Sequence, residues 1–135
     1  MRTYLKLFCL ALPILVALDA SWLGVIASGF YRSNLGPLLA TQPNYLAAIA
    51  FYVLYVVGII YFALKPALAE RALGRAIING AMLGFISYML YDLTNLSVLA
   101  NWPLLLSLVD IAWGVILTGV TAGLTYVVAT QVFKL

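Results

Sequence analysis

The chain has 135 residues, of which 66% are hydrophobic and only 8% charged, with a formal net charge of +3. Soluble domains are about 45–50% apolar and about 25% charged, and a chain this short cannot bury so much apolar surface in water. The composition excludes a water-soluble globular domain, a disordered chain and a nucleic-acid binder, and points to an integral membrane protein whose first partner is the lipid bilayer.

The expected fold class is all-α: one domain over residues 1–135, a bundle of four transmembrane helices in up-down order. A span needs about 20 largely apolar residues. The first runs from about Leu5 to Ser28. It starts like a signal peptide, with Arg2 and Lys6 before an apolar stretch, but it continues past Asp19 through Trp22 and Ile26. No Ala-x-Ala precedes a cut near Ala20, so it is read as a retained span. Phe30 to Asn44 is a long connection holding Gly36-Pro37 and Pro43, compatible with a short surface helix or with a plain loop. The second span runs from about Tyr45 to Leu64 and is expected to stop at Lys65-Pro66. The third covers about 76–99. The fourth begins behind Pro103, a favoured first-turn residue, and covers about 104–133.

Orientation follows from the basic residues. With both termini inside, Arg2, Lys6, Lys65, Arg71, Arg75 and Lys134 are inside and only Arg32 is outside. The expected topology is therefore N-in and C-in.

Several chemistries lack their residues. There is no histidine, which removes His-ligated haem, His-bound zinc and a Ser-His-Asp triad. The single cysteine, Cys9, forms no intrachain disulfide and reads as a small buried hydrophobe. No GxGxxG or GxxxxGK[ST] segment marks a nucleotide site. No cofactor and no metal are expected.

The acids carry the most information. Glu70 lies in the inner loop beside Arg71, but Asp19, Asp92 and Asp110 all fall inside spans. An aspartate at mid-span costs about 2.5–3.5 kcal/mol, against about 0.3–0.6 returned by each Leu, Ile, Val or Phe. The three acids should therefore face the bundle interior or a wet cavity. At about 1.5 Å per residue, Asp19 lies roughly 20 Å and Asp92 roughly 24 Å from the inner face. Asp110 lies roughly 10 Å from the outer face by the same rise. All three share one outer layer, as a single site would.

Other polar side chains join that layer. Tyr52 and Tyr55 descend along the second span behind Tyr45. Tyr88 and Asn95 flank Asp92 on one helix face. Trp22 follows Asp19 by one turn, and Trp113 follows Asp110 likewise. On the fourth span Ser107, Asp110, Gly114, Thr118, Thr121 and Thr125 form one polar stripe. Tyr4, Tyr31, Tyr45 and Trp102 read as an interfacial aromatic belt. Gly80-x-x-x-Gly84 and Gly119-x-x-x-Gly123 permit close helix approach, and packing within the bundle is favoured over a dimer seam.

The segment Tyr91-Asp92-Leu93-Thr94-Asn95, the two Asp-x-x-Trp motifs, the Phe30-Tyr31 to Leu35-Gly36 stretch and Lys65-Pro66-Ala67-Leu68 carry a resemblance. Over nearly its whole length the chain resembles a family of small predicted bacterial membrane proteins classed as a domain of unknown function. The resemblance implies a four-helix protein of the bacterial inner membrane and implies no activity.

The functional expectation comes from the residues. Asp19, Asp92, Asp110, Asn95, Tyr52, Tyr55, Tyr88, Trp22 and Trp113 are the candidate lining of an outward-facing acidic-aromatic site for small-ligand or proton-linked binding or transport. Such a small bundle would work with a homo-oligomeric or larger membrane partner. Two other readings stand beside it. The acids can be interhelical hydrogen-bond partners in a structural or accessory subunit. Paired carboxylates can also serve a lipid-modifying enzyme. Against the enzyme, no DDxxD-type cluster is present, and only Arg32 is placed to hold a phosphate.

Overall fold

A computed structural model describes residues 2–135. Helix α1, Arg2–Ser21, continues into one π-helical turn, Trp22–Ile26, closed by the Ala27 N–H on the Trp22 carbonyl at 2.7 Å. The long connection then forms a helix, α2, over Ser28–Leu35. Gly36 ends it with φ at 46°, a conformation that favours glycine, and a short 3₁₀ turn follows over Gly36–Leu38. Helix α3, Tyr45–Ile59, is capped by Asn44, whose side chain accepts the Ala47 N–H at 3.1 Å.

The second membrane helix does not stop at Lys65-Pro66. A π-helical turn over Ile60–Leu64 leads directly into α4, Lys65–Glu70. Pro66 lies inside the continuous helix, and the Phe62 carbonyl four residues before it accepts instead from Asn79 Nδ2 of α5 at 3.1 Å. The stop comes at Arg71, in the left-handed conformation with φ 52°. Helices α5, Leu73–Val98, and α6, Leu104–Gln131, complete the chain. Among the described residues four continuous helical stretches, Arg2–Ile26, Tyr45–Glu70, Leu73–Val98 and Leu104–Gln131, are long and apolar enough to cross a membrane.

The helices close a ring. α1 packs on α3 and on α6, α6 packs extensively on α5, and α5 returns to the second span through the Ile60–Leu64 turn and α4. Both termini and the α4–α5 turn lie at one end, here the terminal end. The α2 connection and residues 99–103 lie at the other, here the loop end.

The packing is that of a protein solvated by hydrocarbon. Small and hydroxyl-bearing residues of α6 are inside, among them Ser107, Gly114, Thr118, Thr121 and Thr125. Large apolar side chains such as Leu46, Leu54 and Ile78 point outward. Cys9 also faces outward rather than inward; a weakly polar thiol costs little against lipid, so nothing forces it into the core. The glycine motifs meet within the bundle. A Cβ at Gly80 would lie 2.8 Å from the Thr118 carbonyl oxygen, and one at Gly84 would strike the Gly114 carbonyl. Gly119 and Gly123 pack on Ile77 and Ala81. The α5–α6 seam thus rests on backbone-to-backbone approach.

Candidate acidic-aromatic site

The three intramembrane acids lie in one layer toward the loop end. Asp92 is six residues before the end of α5 and Asp110 six residues into α6, each about 9 Å from its helix end. Asp19 is one turn before the π-helical turn of α1.

Asp19, only 4% exposed, ties three helices together. Its Oδ2 accepts from the Tyr52 hydroxyl of α3 at 2.7 Å, and its Oδ1 accepts from Trp113 Nε1 of α6 at 3.1 Å. The Trp113 indole stacks on the Trp22 indole, ring centres 4.5 Å apart and planes 8° from parallel. Trp22 Nε1 donates to the Tyr31 hydroxyl at 3.2 Å, and that hydroxyl in turn donates to Asp110 Oδ1. The run from Asp19 through the two indoles and Tyr31 to Asp110 therefore joins α1, α2, α3 and α6. Burial raises Tyr31 above the usual phenol range, and its hydrogen bond to Asp110 adds to this.

Beside this network lies a cavity of about 880 Å³. The π-helical turn of α1 and the α2 helix wall one side with Leu23, Gly24, Ser28 and Leu35. Phe51 and Tyr55 of α3 face Ser87, Tyr88 and Tyr91 of α5, and Leu106 of α6 lies with Trp102 at the loop end. Its acids are Asp19 and Asp110, and its single base is Arg32. Around the cavity α3 packs on α1, and α5 meets the second span mainly lower down, at the Ile60–Leu64 turn and α4.

The sequence-derived candidates fall into three groups. Asp19, Asp110, Tyr55, Tyr88 and Trp113 line the cavity. Tyr52 and Trp22 hold the network from behind. Tyr55 is fixed by Thr118, its hydroxyl 2.8 Å from Thr118 Oγ1, and the Tyr88 ring fills the hollow over Gly114. Asp92 is fully buried and lies next to Asp110, Ser107 and Trp102 without lining the cavity. Asn95 is outside the cavity, one turn beyond Tyr91 on α5.

Two residues that sequence alone places in the aromatic belt belong to the site. Tyr31 reaches Asp110 across 79 residues of chain, and Trp102 donates to Ser107 Oγ at 2.9 Å. An aromatic next to a span has the same local signature whether it anchors in headgroups or folds back into the bundle. Among the described residues no cluster of three or more acidic, Cys or His side chains could hold a metal ion.

No curated protein and no solved structure matches the chain. A family described as Predicted membrane protein (DUF2177) matches residues 4–127. The match takes in α1 whole but for its first two residues, all of α2 to α5 and most of α6, including every residue of the acidic-aromatic network. The chain belongs to this family of predicted membrane proteins of unknown function.

Proposed function

We propose that this protein binds a small amphiphilic molecule in its loop-end cavity, with the apolar body against the leucines and aromatic rings and a cationic or hydrogen-bond-donating group on Asp110. The observation that carries the reading is the cavity itself: about 880 Å³, walled by apolar and aromatic side chains, with carboxylates at Asp110 and Asp19. Ligand sites have this make-up, a largely apolar wall with few polar groups that fix orientation. Acids within spans mark such sites by default. The location that goes with the reading is the bacterial inner membrane, N-in and C-in, so that the loop end and the cavity face outward. The distribution of the seven bases supports that orientation.

Asp19 favours a second role for part of the network. Both its oxygens already have donors, as the structural-subunit reading expects. Asp19 is accordingly the tie of the bundle, and Asp110 the ligand-facing acid.

The test is native mass spectrometry of the protein released from nanodiscs of native lipid. Gly24 lines the cavity, and a Cβ there meets nothing within 4 Å, so Gly24→Phe fills the space without striking backbone. The wild type should carry a bound small molecule that Gly24→Phe lacks. A wild type with no bound mass, or a variant that keeps it, overturns the reading.

A further inference from the structure

Behind the cavity wall is a buried acid that the ligand reading does not use. Asp92 has no exposed surface, and neither carboxylate oxygen has a hydrogen-bond partner among the described residues. A buried carboxylate without a protein partner is strongly disfavoured unless its charge is neutralised or solvated.

Near it lie Ser107 and Asp110 of α6, Trp102 of the connection before α6, and Tyr91 of α5 itself. Trp102 Nε1 donates to Ser107 Oγ at 2.9 Å, which occupies an acceptor position of the serine and leaves its own O–H free to donate. Asp110 faces Tyr31 of α2, Asp19 of α1 and Asp92. From α3, Tyr55 is held by Thr118. The one nearby base, Arg32, pairs with neither acid; among the described residues the ion pair is Arg75 with Glu70, at the terminal end. Two carboxyls side by side with no base between them cannot both be charged.

We propose that Asp92 and Asp110 hold one proton between them, forming a proton-binding site flanked by Trp102 and Ser107 that communicates with the cavity through Asp110. One of the two acids keeps the proton and the other is ionised. When the proton leaves, it leaves by way of Asp110 to water in the cavity, and when it returns from water it neutralises the pair's second charge again. The inference goes beyond ligand binding and does not need it.

Infrared spectroscopy of the purified protein in sodium-free buffer tests this through the carbonyl stretch of a protonated carboxyl. The Asp→Asn variants assign the absorption to its residue. The wild type should show a protonated-carboxyl band at neutral pH. Asp92→Asn should remove it, and Asp110→Asn should remove or displace it. A wild type without the band overturns the proposal, and this needs no variant to fold. A band unchanged in Asp110→Asn overturns the sharing. A band that vanishes when sodium is added assigns the site to a metal cation and overturns the proton assignment. None of these results depends on the bound mass sought in the nanodisc experiment, so either idea can fail alone.

Discussion

Trp22 and Trp113 stack nearly face to face, with ring centres 4.5 Å apart, and their indole N–H groups have different acceptors, the Tyr31 hydroxyl and Asp19. Trp113 serves Asp19 directly, and Trp22 serves Asp110 through the Tyr31 hydroxyl. One aromatic pair thereby fixes the positions of two carboxylates on different helices. A rigid pair of this kind is what a pocket needs if its polar groups are to be in place before a ligand arrives.

The stack has an optical consequence. Two indoles this close couple, so the near-ultraviolet and indole-region circular dichroism should contain an exciton couplet. Trp22→Phe and Trp113→Phe should each abolish it, and Trp102→Phe should keep it. Trp113→Phe should also melt lower than Trp22→Phe. It removes a donor to a carboxylate, worth about 1.5–3 kcal/mol, where Trp22→Phe removes a bond between neutral groups, worth about 0.5–1.5 kcal/mol. A couplet that survives either stack variant would contradict the geometry.

The α5–α6 seam predicts a sharp contrast among glycines. At Gly84 a methyl group would collide with the Gly114 carbonyl and Thr118 Oγ1, and at Gly114 it would collide with the Tyr88 ring. Overpacking costs about 1–3 kcal/mol when side chains can adjust, and a backbone carbonyl adjusts least. Gly84→Ala should therefore lose at least that much. Gly24→Ala, with open space around it, should stay within about 0.5 kcal/mol of wild type. Thermal unfolding in one detergent compares them, and equal losses at both positions would refute the close approach.

Tyr31 gives a pH prediction. Its folded phenol lies above its unfolded value of about 10 because it is buried and hydrogen-bonded to Asp110. A group raised on folding stabilises fully below the unfolded pKa and loses that stabilisation as pH rises through the folded one. The wild type should therefore lose stability above about pH 10, the unfolded phenol value. Tyr31→Phe, with nothing to ionise there, should lose less over the same window. Denaturation followed along an alkaline series measures both, and parallel curves would contradict the burial of this hydroxyl.

Much of this arrangement is written in local sequence. The spans, the polar stripe of α6 and the positions of Asp19, Asp92 and Asp110 within their helices follow from hydropathy and helical period, because lipid leaves a span few other ways to arrange them. The inward turn of Thr118, Thr121 and Thr125 follows for the same reason. The continuation of the second helix past Pro66 was not legible, because the π-helical turn before it has no sequence signature and the donor to the Phe62 carbonyl, Asn79, comes from another helix. The partnership of Tyr31 with Asp110 was not legible either. It depends on the folding of α2 back over the bundle and on which helices are neighbours, and periodicity carries neither.

The acids themselves decide whether the site binds a ligand or only holds the bundle together. Thermal unfolding in nanodiscs should be measured for the wild type, Asp19→Asn, Asp92→Asn and Asp110→Asn, each with and without a long-chain alkylamine. Asp19→Asn should melt lower, because two donors lose their charged acceptor, at about 1–3 kcal/mol. Asp92→Asn and Asp110→Asn should melt at or above wild type, as groups kept at a cost to stability do. The amine should raise the melting temperature of the wild type and of Asp19→Asn but leave Asp110→Asn unmoved. If all three variants fall together and the amine moves none of them, the acids are structural and the cavity is not the site proposed here.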